Sequence, residues 1–258
     1  MKIFIYSLSL MMLISGAVAQ SIASINDLLD QGEQHYQRKE YAEALAIFTN
    51  AIRLEPGLAA AYLSRAYTKE KLHDPEGAIT DFNIYLELNP SEPEALFSRG
   101  LLCFQTGRFA QAKDDFLKVL ALPAGETNTI FYQQRAAAGG SHQLVTAQGS
   151  TKALLLNYIG CAESKSGHHQ QAIIYLDSAI AMEPMVADYY VNRGLAKEGL
   201  QDPTAISDYK TALELQQDHP VALYNLGVWQ RKELGKTEVD YLEYAIESDS
   251  SMLAPYLE

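Results

Sequence analysis

Apolar residues recur every three or four positions along most of this chain, which is the spacing of helices with one buried face. The stretch HDPEGAITDF at 73–82 shows how one such helix begins. Asp74 is a favourable N-cap and Pro75 a favourable first helical residue, and a small residue and an aromatic ring then follow four positions apart. The stretch QDPTAISDY repeats this start at Asp202 and Pro203. The pattern predicts a series of helices with an internal repeat.

One order of residue types recurs at a period of 34 residues, or one fewer, apart from a single longer gap. Each copy has a small residue, an apolar ring or leucine four positions later, and a second, usually small, residue three positions after that. Copies begin at Ala44, Ala78, Ala112, Ala172 and Ala205, and a degraded sixth copy keeps Leu242 and Ala245. A glycine or alanine that allows close helix approach lies 11 or 12 positions before the start of each copy. In the sixth copy the starting position is held by Glu238. The glycines and the alanine are Gly32, Ala66, Gly100, Gly160, Gly194 and Gly227.

This order of residues resembles the tetratricopeptide repeat, whose unit of 34 residues is a pair of antiparallel helices. The resemblance covers about 200 of the 258 residues. It implies an all-α fold, a right-handed superhelical solenoid of about six helix-turn-helix repeats, because a single helix pair cannot cover its own apolar face. We expect repeats one to three at 25–124, repeats four to six at 153–250 and a polar C-terminal cap at 251–258.

The first twenty residues have a different composition from the rest of the chain. Lys2 is followed by an apolar run at 3–14, and Ala17-Val18-Ala19 fits the pattern of small residues at a cleavage site. These features predict a secretory signal peptide at 1–19 and a linker at 20–24; the alternative is an uncleaved N-terminal helix. We therefore expect a periplasmic or secreted protein that is not inserted in the membrane after cleavage.

The longer gap in the period predicts an insertion at 125–152, between repeats three and four. It contains the apolar cluster 130–132 and the glycine pair 139–140. Loops of this length inside a compact array are usually functional or disordered. One interpretation is a surface excursion whose aromatic rings pack on the adjacent repeats, and the other is a lid or docking loop.

Arginine and aspartate occur in the same repeats. Repeats two, three and five have arginine at the seventh position and aspartate before the buried ring, whereas the other repeats have neither. An arginine half-buried between helices needs a carboxylate partner, so we predict ion pairs within or between repeats; ligand-binding arginines are the alternative. The residues are Arg65, Arg99 and Arg193 with Asp81, Asp115 and Asp208.

Charge and motifs exclude several function classes. The formal net charge of −12 disfavours nucleic acid and anionic membrane surfaces as partners. The chain lacks the nucleophile elbow, the phosphate-binding loop and the metalloprotease motif, so we expect no catalysis, no cofactor and no metal. Weak alternatives are a metal at His168-His169 with Glu163, and a catalytic role for Ser141-His142. The two cysteines, Cys103 and Cys161, are expected to be buried thiols, with a disulfide as the alternative.

The resemblance also implies a binding surface, because first helices line the inner face of such solenoids. The corresponding positions carry aromatic, aliphatic and amide side chains, which suit an extended peptide. Acidic residues Asp30, Glu33 and Glu94 stand where some family members have a cationic clamp for a terminal carboxylate. We predict a scaffold that binds a protein or peptide, of unknown oligomeric state; the alternative is an exported enzyme or small-ligand sensor with its site at 125–152. The predicted groove residues are Leu63, Tyr67, Phe97, Leu101, Phe104, Asn157, Tyr158, Asn192, Tyr224 and Asn225.

Overall fold

The computed structural model describes residues 25–122 and 148–234, together with positions 241 and 245. Every regular element in these ranges is a helix, which confirms the predicted all-α fold. The predicted signal peptide, the linker, most of the insertion and the C-terminal cap lie outside the described residues. None of the described helices is long and apolar enough to span a bilayer.

The chain separates into two compact units, which divide between Leu102 and Cys103. Short turns join the helices within each described range. The first unit holds α1 (25–37), α2 (Tyr41–Leu54), α3 (Ala59–Lys71), α4 (Pro75–Leu88) and most of α5 (Pro93–Gln105), which runs across the division. The second unit holds α6 (Phe109–Ala121), α7 (Gln148–Lys165), α8 (His169–Met182), α9 (Ala187–Gly199), α10 (Ala205–Leu215) and α11 (Pro220–Leu234).

The two similar stretches begin their helices differently. At α4 the prediction is confirmed, because Asp74 Oδ1 accepts the Gly77 N–H at 3.0 Å and Pro75 is the first helical residue. At α10 the predicted start is wrong by two residues. Asp202 Oδ1 accepts the Thr204 N–H at 2.9 Å, and the helix begins at Ala205. The Asp202 side chain therefore closes a tight turn before the helix instead of capping it.

Small residues and apolar rings form the core of each unit, as the period predicts. A Cβ added to Gly160 or Gly194 would lie 2.7 Å from Leu176 or 2.6 Å from Tyr209. Glycine at these two positions is therefore required by the close approach of the helices. The buried rings and aliphatic residues at the repeated core position are Phe48, Phe82, Phe116, Leu176 and Tyr209.

Two of the three predicted arginine–aspartate pairs are confirmed. The Arg65 guanidinium donates two hydrogen bonds to the Asp81 carboxylate, at 2.8 and 2.7 Å. Arg193 donates two to Asp208, at 3.0 and 2.6 Å. Asp81 and Asp208 are both buried, so the two pairs lie inside the helix stack. Arg99 and Asp115 belong to different units, and their pairing stays a prediction.

A lysine that the sequence did not predict joins each confirmed pair. Lys69 Nζ lies 2.8 Å from Asp81 Oδ2, and Lys197 Nζ lies 2.8 Å from Asp208 Oδ2. Each buried carboxylate therefore faces two cations. In both repeats the lysine follows the arginine by four residues, so both cations lie on one face of the helix.

The same three arginines also reach back to the preceding helix. Each contact spans 16 residues and ends on a polar side chain of a second helix: Arg65 Nη1 to Thr49 Oγ1 (3.4 Å), Arg99 Nη1 to Asn83 Oδ1 (2.8 Å) and Arg193 Nη1 to Asp177 Oδ1 (2.7 Å). These arginines therefore connect repeats two, three and five to the helix pair before each of them.

Candidate functional site

The predicted groove residues of the first unit differ in exposure. Leu63, Tyr67 and Leu101 are half-buried, whereas Phe97 is only 2% exposed and belongs to the core. The Tyr67 ring meets Phe82 edge-on, with 5.2 Å between the ring centroids. The ring that fills the core of this repeat therefore also supports Tyr67.

The Tyr67 hydroxyl is a buried polar group without a partner. It lies beside Glu94 and Ser98, but it makes no hydrogen bond of good geometry to any described residue. Burial, and then the negative charge of Glu94, raise the pKa of this hydroxyl well above its usual range. An unpaired buried hydroxyl costs free energy, so the feature requires an explanation.

Acidic side chains lie near this hydroxyl, and one of them, Glu70, also acts on Tyr36. Burial raises the pKa of the Glu70 carboxyl, and burial together with the adjacent Glu92 raises the pKa of Glu94. Burial, and then the charge of Glu70, raise the pKa of Tyr36 to about 12. The sequence prediction missed Glu70, although it occupies the twelfth position of repeat two, the position that Phe104 has in repeat three.

The second unit has an asparagine on each of α7, α9 and α11, at the fifth repeat position for Asn157 and at the sixth for Asn192 and Asn225. Asn192 Nδ2 donates to Asn157 Oδ1 at 2.9 Å, and Cys161 Sγ lies 4.0 Å from the same oxygen. Asn157 and Asn225 are buried, and Asn192 is half-buried. The Asn225 side chain is 8% exposed, and its Nδ2 has no hydrogen-bond partner in the part of the chain that the structure describes. We call these three residues the asparagine row. It includes one amide donor that has no acceptor among the described residues.

Aromatic rings hold Tyr158 beside these amides. Tyr158 stacks on Phe116, with ring centroids 5.3 Å apart and planes inclined at 25°. It also meets Phe104 edge-on at 6.4 Å, and Phe104 meets Phe109 edge-on at 5.4 Å. Tyr224, the remaining predicted ring, is half-buried on α11. The rings give this face a fixed shape, which is a requirement for recognising a partner.

The predicted groove residues thus lie at the expected helical positions, but burial of Phe97, Asn157 and Asn225 limits what each can contact. Periodicity assigned these three to an inner face without showing how far neighbouring helices cover them. Binding at any of the ten residues stays a prediction.

The residues of the weaker alternative sites make ion pairs and packing contacts in the part of the chain that the structure describes. Glu163 is buried between Lys113 Nζ, at 3.2 Å, and His168 Nδ1, at 2.8 Å, and these groups line an open cavity of about 570 Å³. Among the described residues no group of three or more His, Cys, Asp or Glu is arranged to hold a metal ion. Cys103 and Cys161 are not joined in a disulfide, and burial raises the pKa of Cys161 to about 12. Ser141-His142 lies outside the described residues.

Comparison with known proteins identifies the repeat. Residues 63–127 match the family model described as "Tetratricopeptide repeat". DnaJ homolog subfamily C member 3 of Rattus norvegicus is 28% identical over 215 residues, which cover 83% of this chain and 40% of the relative. Tetratricopeptide repeat protein 36 of Danio rerio is 34% identical over 105 residues, which cover 39% of this chain and 56% of the relative. This chain thus spans about two fifths of the DnaJ relatives and just over half of the zebrafish protein.

Solved structures share the fold. YrrB, described as a TPR protein with an unusual peptide-binding site, superposes with a TM-score of 0.61 at 16% identity, covering 77% of this chain and 89% of YrrB. A MamA structure superposes with a TM-score of 0.58 at 18% identity, covering 83% of this chain and 97% of MamA. The family model, the solenoid structures and the helix pairs described above agree. Residues 63–127 therefore form a tetratricopeptide-repeat region, and the described helices share the fold of these structures.

Proposed function

We propose that this protein is an exported scaffold that binds an extended segment of a partner protein along the inner faces of its first helices. The observation that carries the proposal is the asparagine row in the second unit. The half-buried Asn192 is already oriented by Asn157, and the buried Asn225 Nδ2 has no hydrogen-bond partner among the described residues. Amide side chains both donate and accept, so they can pair with the backbone of an extended peptide of any sequence.

Two further features support a peptide partner. Tyr158 offers a ring held in place by Phe116 next to the amide row, and such rigid rings supply contact area at low entropic cost. The similarity to YrrB, whose description names a peptide-binding site, and to DnaJ homologs agrees with a protein ligand. The alternative site in the insertion lies outside the described residues.

Selection of random twelve-residue peptides by phage display on the purified chain tests this proposal. We expect the selected peptides to bind wild-type protein, and Asn192→Ala and Tyr158→Ala each to weaken binding about tenfold, a loss typical of a central interface residue. Asn50→Ala is the matched control because Asn50 lies on a second helix, where its Oδ1 accepts a hydrogen bond from Arg53 Nη2 at 2.8 Å. Thermal melts verify that each variant is folded. Peptides whose affinity is the same for all three variants would contradict the proposed groove.

Export is tested separately, because it depends on residues 1–24. Expression of the full chain in a Gram-negative host should yield a periplasmic protein whose N-terminus, determined by mass spectrometry, is Gln20. Replacing Ala17 and Ala19 by aspartate should block this processing, because the cleavage site needs small residues. A wild-type product that keeps Met1 and sediments with membranes would instead support the uncleaved helix.

A further inference from the structure

An acidic and aromatic patch lies on the first helices of the first unit. It consists of Tyr36 on α1, Tyr67 and Glu70 on α3, and Glu94 on α5, and we call it the acidic–aromatic patch. All four side chains are half-buried, so each keeps some contact with solvent. The charge of Glu70 acts on both tyrosine hydroxyls, and the charge of Glu94 acts on that of Tyr67. The charged and hydroxyl groups of the patch, which come from three successive repeats, therefore interact with one another.

The two carboxylates of the patch are poorly compensated. Neither Glu70 nor Glu94 forms an ion pair with any described residue, whereas the buried Asp81 of the same unit has two cationic partners. Lys71, the next residue along the chain, offsets only part of the effect of burial on Glu70. Partly buried carboxylates without cations destabilise a fold at neutral pH, because their charged form has lost hydration. The Tyr67 hydroxyl adds a second unsatisfied group at the same place.

We propose that the acidic–aromatic patch binds the ammonium or guanidinium group of a lysine or arginine side chain in the partner peptide. This inference rests on the proposed function, namely that the inner faces bind a peptide. A cation here would pair with Glu70 and Glu94 and donate a hydrogen bond to the Tyr67 hydroxyl. It would also lie near tyrosine rings, whose faces attract cations. One ligand cation would thus give both carboxylates a counter-charge and give the Tyr67 hydroxyl oxygen a hydrogen-bond donor.

Charge complementarity selects this ligand over others. A peptide carboxylate would be repelled by two acids, and a neutral side chain would leave both acids without a counter-charge. The described residues contain no cluster of three or more ligands suited to a metal ion, which leaves an organic cation. Of the patch residues, Glu94 stands at a position where a cationic clamp would bind a terminal carboxylate, so the charge at this position is reversed.

Fluorescence anisotropy in 150 mM salt with two fluorescein-labelled probes tests the inference. The first probe is the peptide (Gly-Ala-Lys-Ala)₃, and the second has every lysine acetylated. We expect the lysine probe to bind at least about tenfold more tightly than the acetylated one, and the double substitution Glu70→Gln/Glu94→Gln to weaken the lysine probe about tenfold. Tyr67→Phe should weaken it about threefold, because one hydrogen bond is lost.

The matched control separates this patch from the general acidity of the chain. Glu43→Gln/Glu87→Gln removes the same formal charge from exposed positions on α2 and α4, and it should change the affinity less than about twofold, because exposed charges are screened. The patch variant should melt at the same temperature as wild type or higher, because it removes buried charge; a simple structural role would predict a lower temperature.

The outcomes also separate this inference from the proposed function. Equal weakening by both double variants, equal binding of the two probes, or no saturable binding at millimolar protein would each overturn the cation site. If the phage-selected peptides depend on Asn192 but not on Glu70 and Glu94, the scaffold proposal stands and the cation site is wrong. If they depend on neither, both proposals are wrong.

Discussion

Replacing Asp81 with asparagine is expected to lower the free energy of unfolding of the first unit by about 3–5 kcal/mol, the cost of removing one partner from a buried ion pair. The Asp81 side chain is 1% exposed and binds Arg65 through two hydrogen bonds and Lys69 through an ion pair. Asparagine has nearly the same shape but no charge. The two cations would then stay between the helices without a counter-charge.

Urea denaturation followed by circular dichroism measures this loss, and amide hydrogen exchange in α3 and α4 localises it. Asp177→Asn is the matched control, because Asp177 is 52% exposed and binds Arg193 at the surface. Exposed pairs contribute about 0–1 kcal/mol, so the control should be nearly neutral. A combined Arg65→Met/Lys69→Met/Asp81→Leu variant should recover most of the loss, because no buried charge is left unpaired. An Asp81→Asn protein as stable as the control would show that the cations reach solvent.

The buried ion pairs around Asp81 and Asp208 affect how the repeats stack. Arg65 and Arg193 each bind a carboxylate in their own repeat and a side chain 16 residues earlier. Such an arginine satisfies its donors only when both helices have the right register. Apolar packing alone tolerates small slips, whereas these paired contacts fix the relative position of neighbouring helices. We infer that the arginines contribute to specificity of stacking at least as much as to its free energy.

The repeat period predicted most of the fold, because the identity of small and apolar residues is what allows the helices to pack. Gly194 and Tyr209 illustrate this, since the ring of one occupies the space that a side chain on the other would need. The start of α10 was not predictable in the same way. The Asp-Pro pair is nearly identical in both stretches, but Asp202 closes a turn where Asp74 caps a helix.

The candidate site was less predictable than the fold. Their positions within the repeat predicted that Phe97, Asn157 and Asn225 lie on an inner face. How deeply they are buried depends on the neighbouring helices, and no local sequence pattern predicts this burial. Co-occurrence of charges predicted the arginine–aspartate pairs, yet Lys69 was missed because the pairing argument considered one cation for each carboxylate. Glu70 was missed although other inner-face acids, Asp30, Glu33 and Glu94, were noted, because its burial depends on the packing of neighbouring helices.

Replacing Phe116 with alanine is the second change for which we expect a large effect, a loss of about 3–5 kcal/mol in the stability of the second unit. Phe116 is 0% exposed, so truncation leaves a cavity that the packed helices cannot fill. The single tryptophan, Trp229, belongs to this unit and reports its unfolding by fluorescence. Ile174→Ala is the matched control, because Ile174 is 51% exposed and its truncation should cost less than about 0.5 kcal/mol.

The same substitution links the core to the proposed groove. Phe116 is the ring on which Tyr158 stacks, so its loss should free Tyr158 to change rotamer even where the protein remains folded. Peptides selected on the wild-type chain should then bind Phe116→Ala several-fold more weakly under conditions in which it is fully folded. Phe116→Leu, which refills most of the cavity without the stacked ring, should recover stability more than affinity. If stability and affinity recover together, Tyr158 does not need the ring beneath it, and the groove depends on backbone position instead.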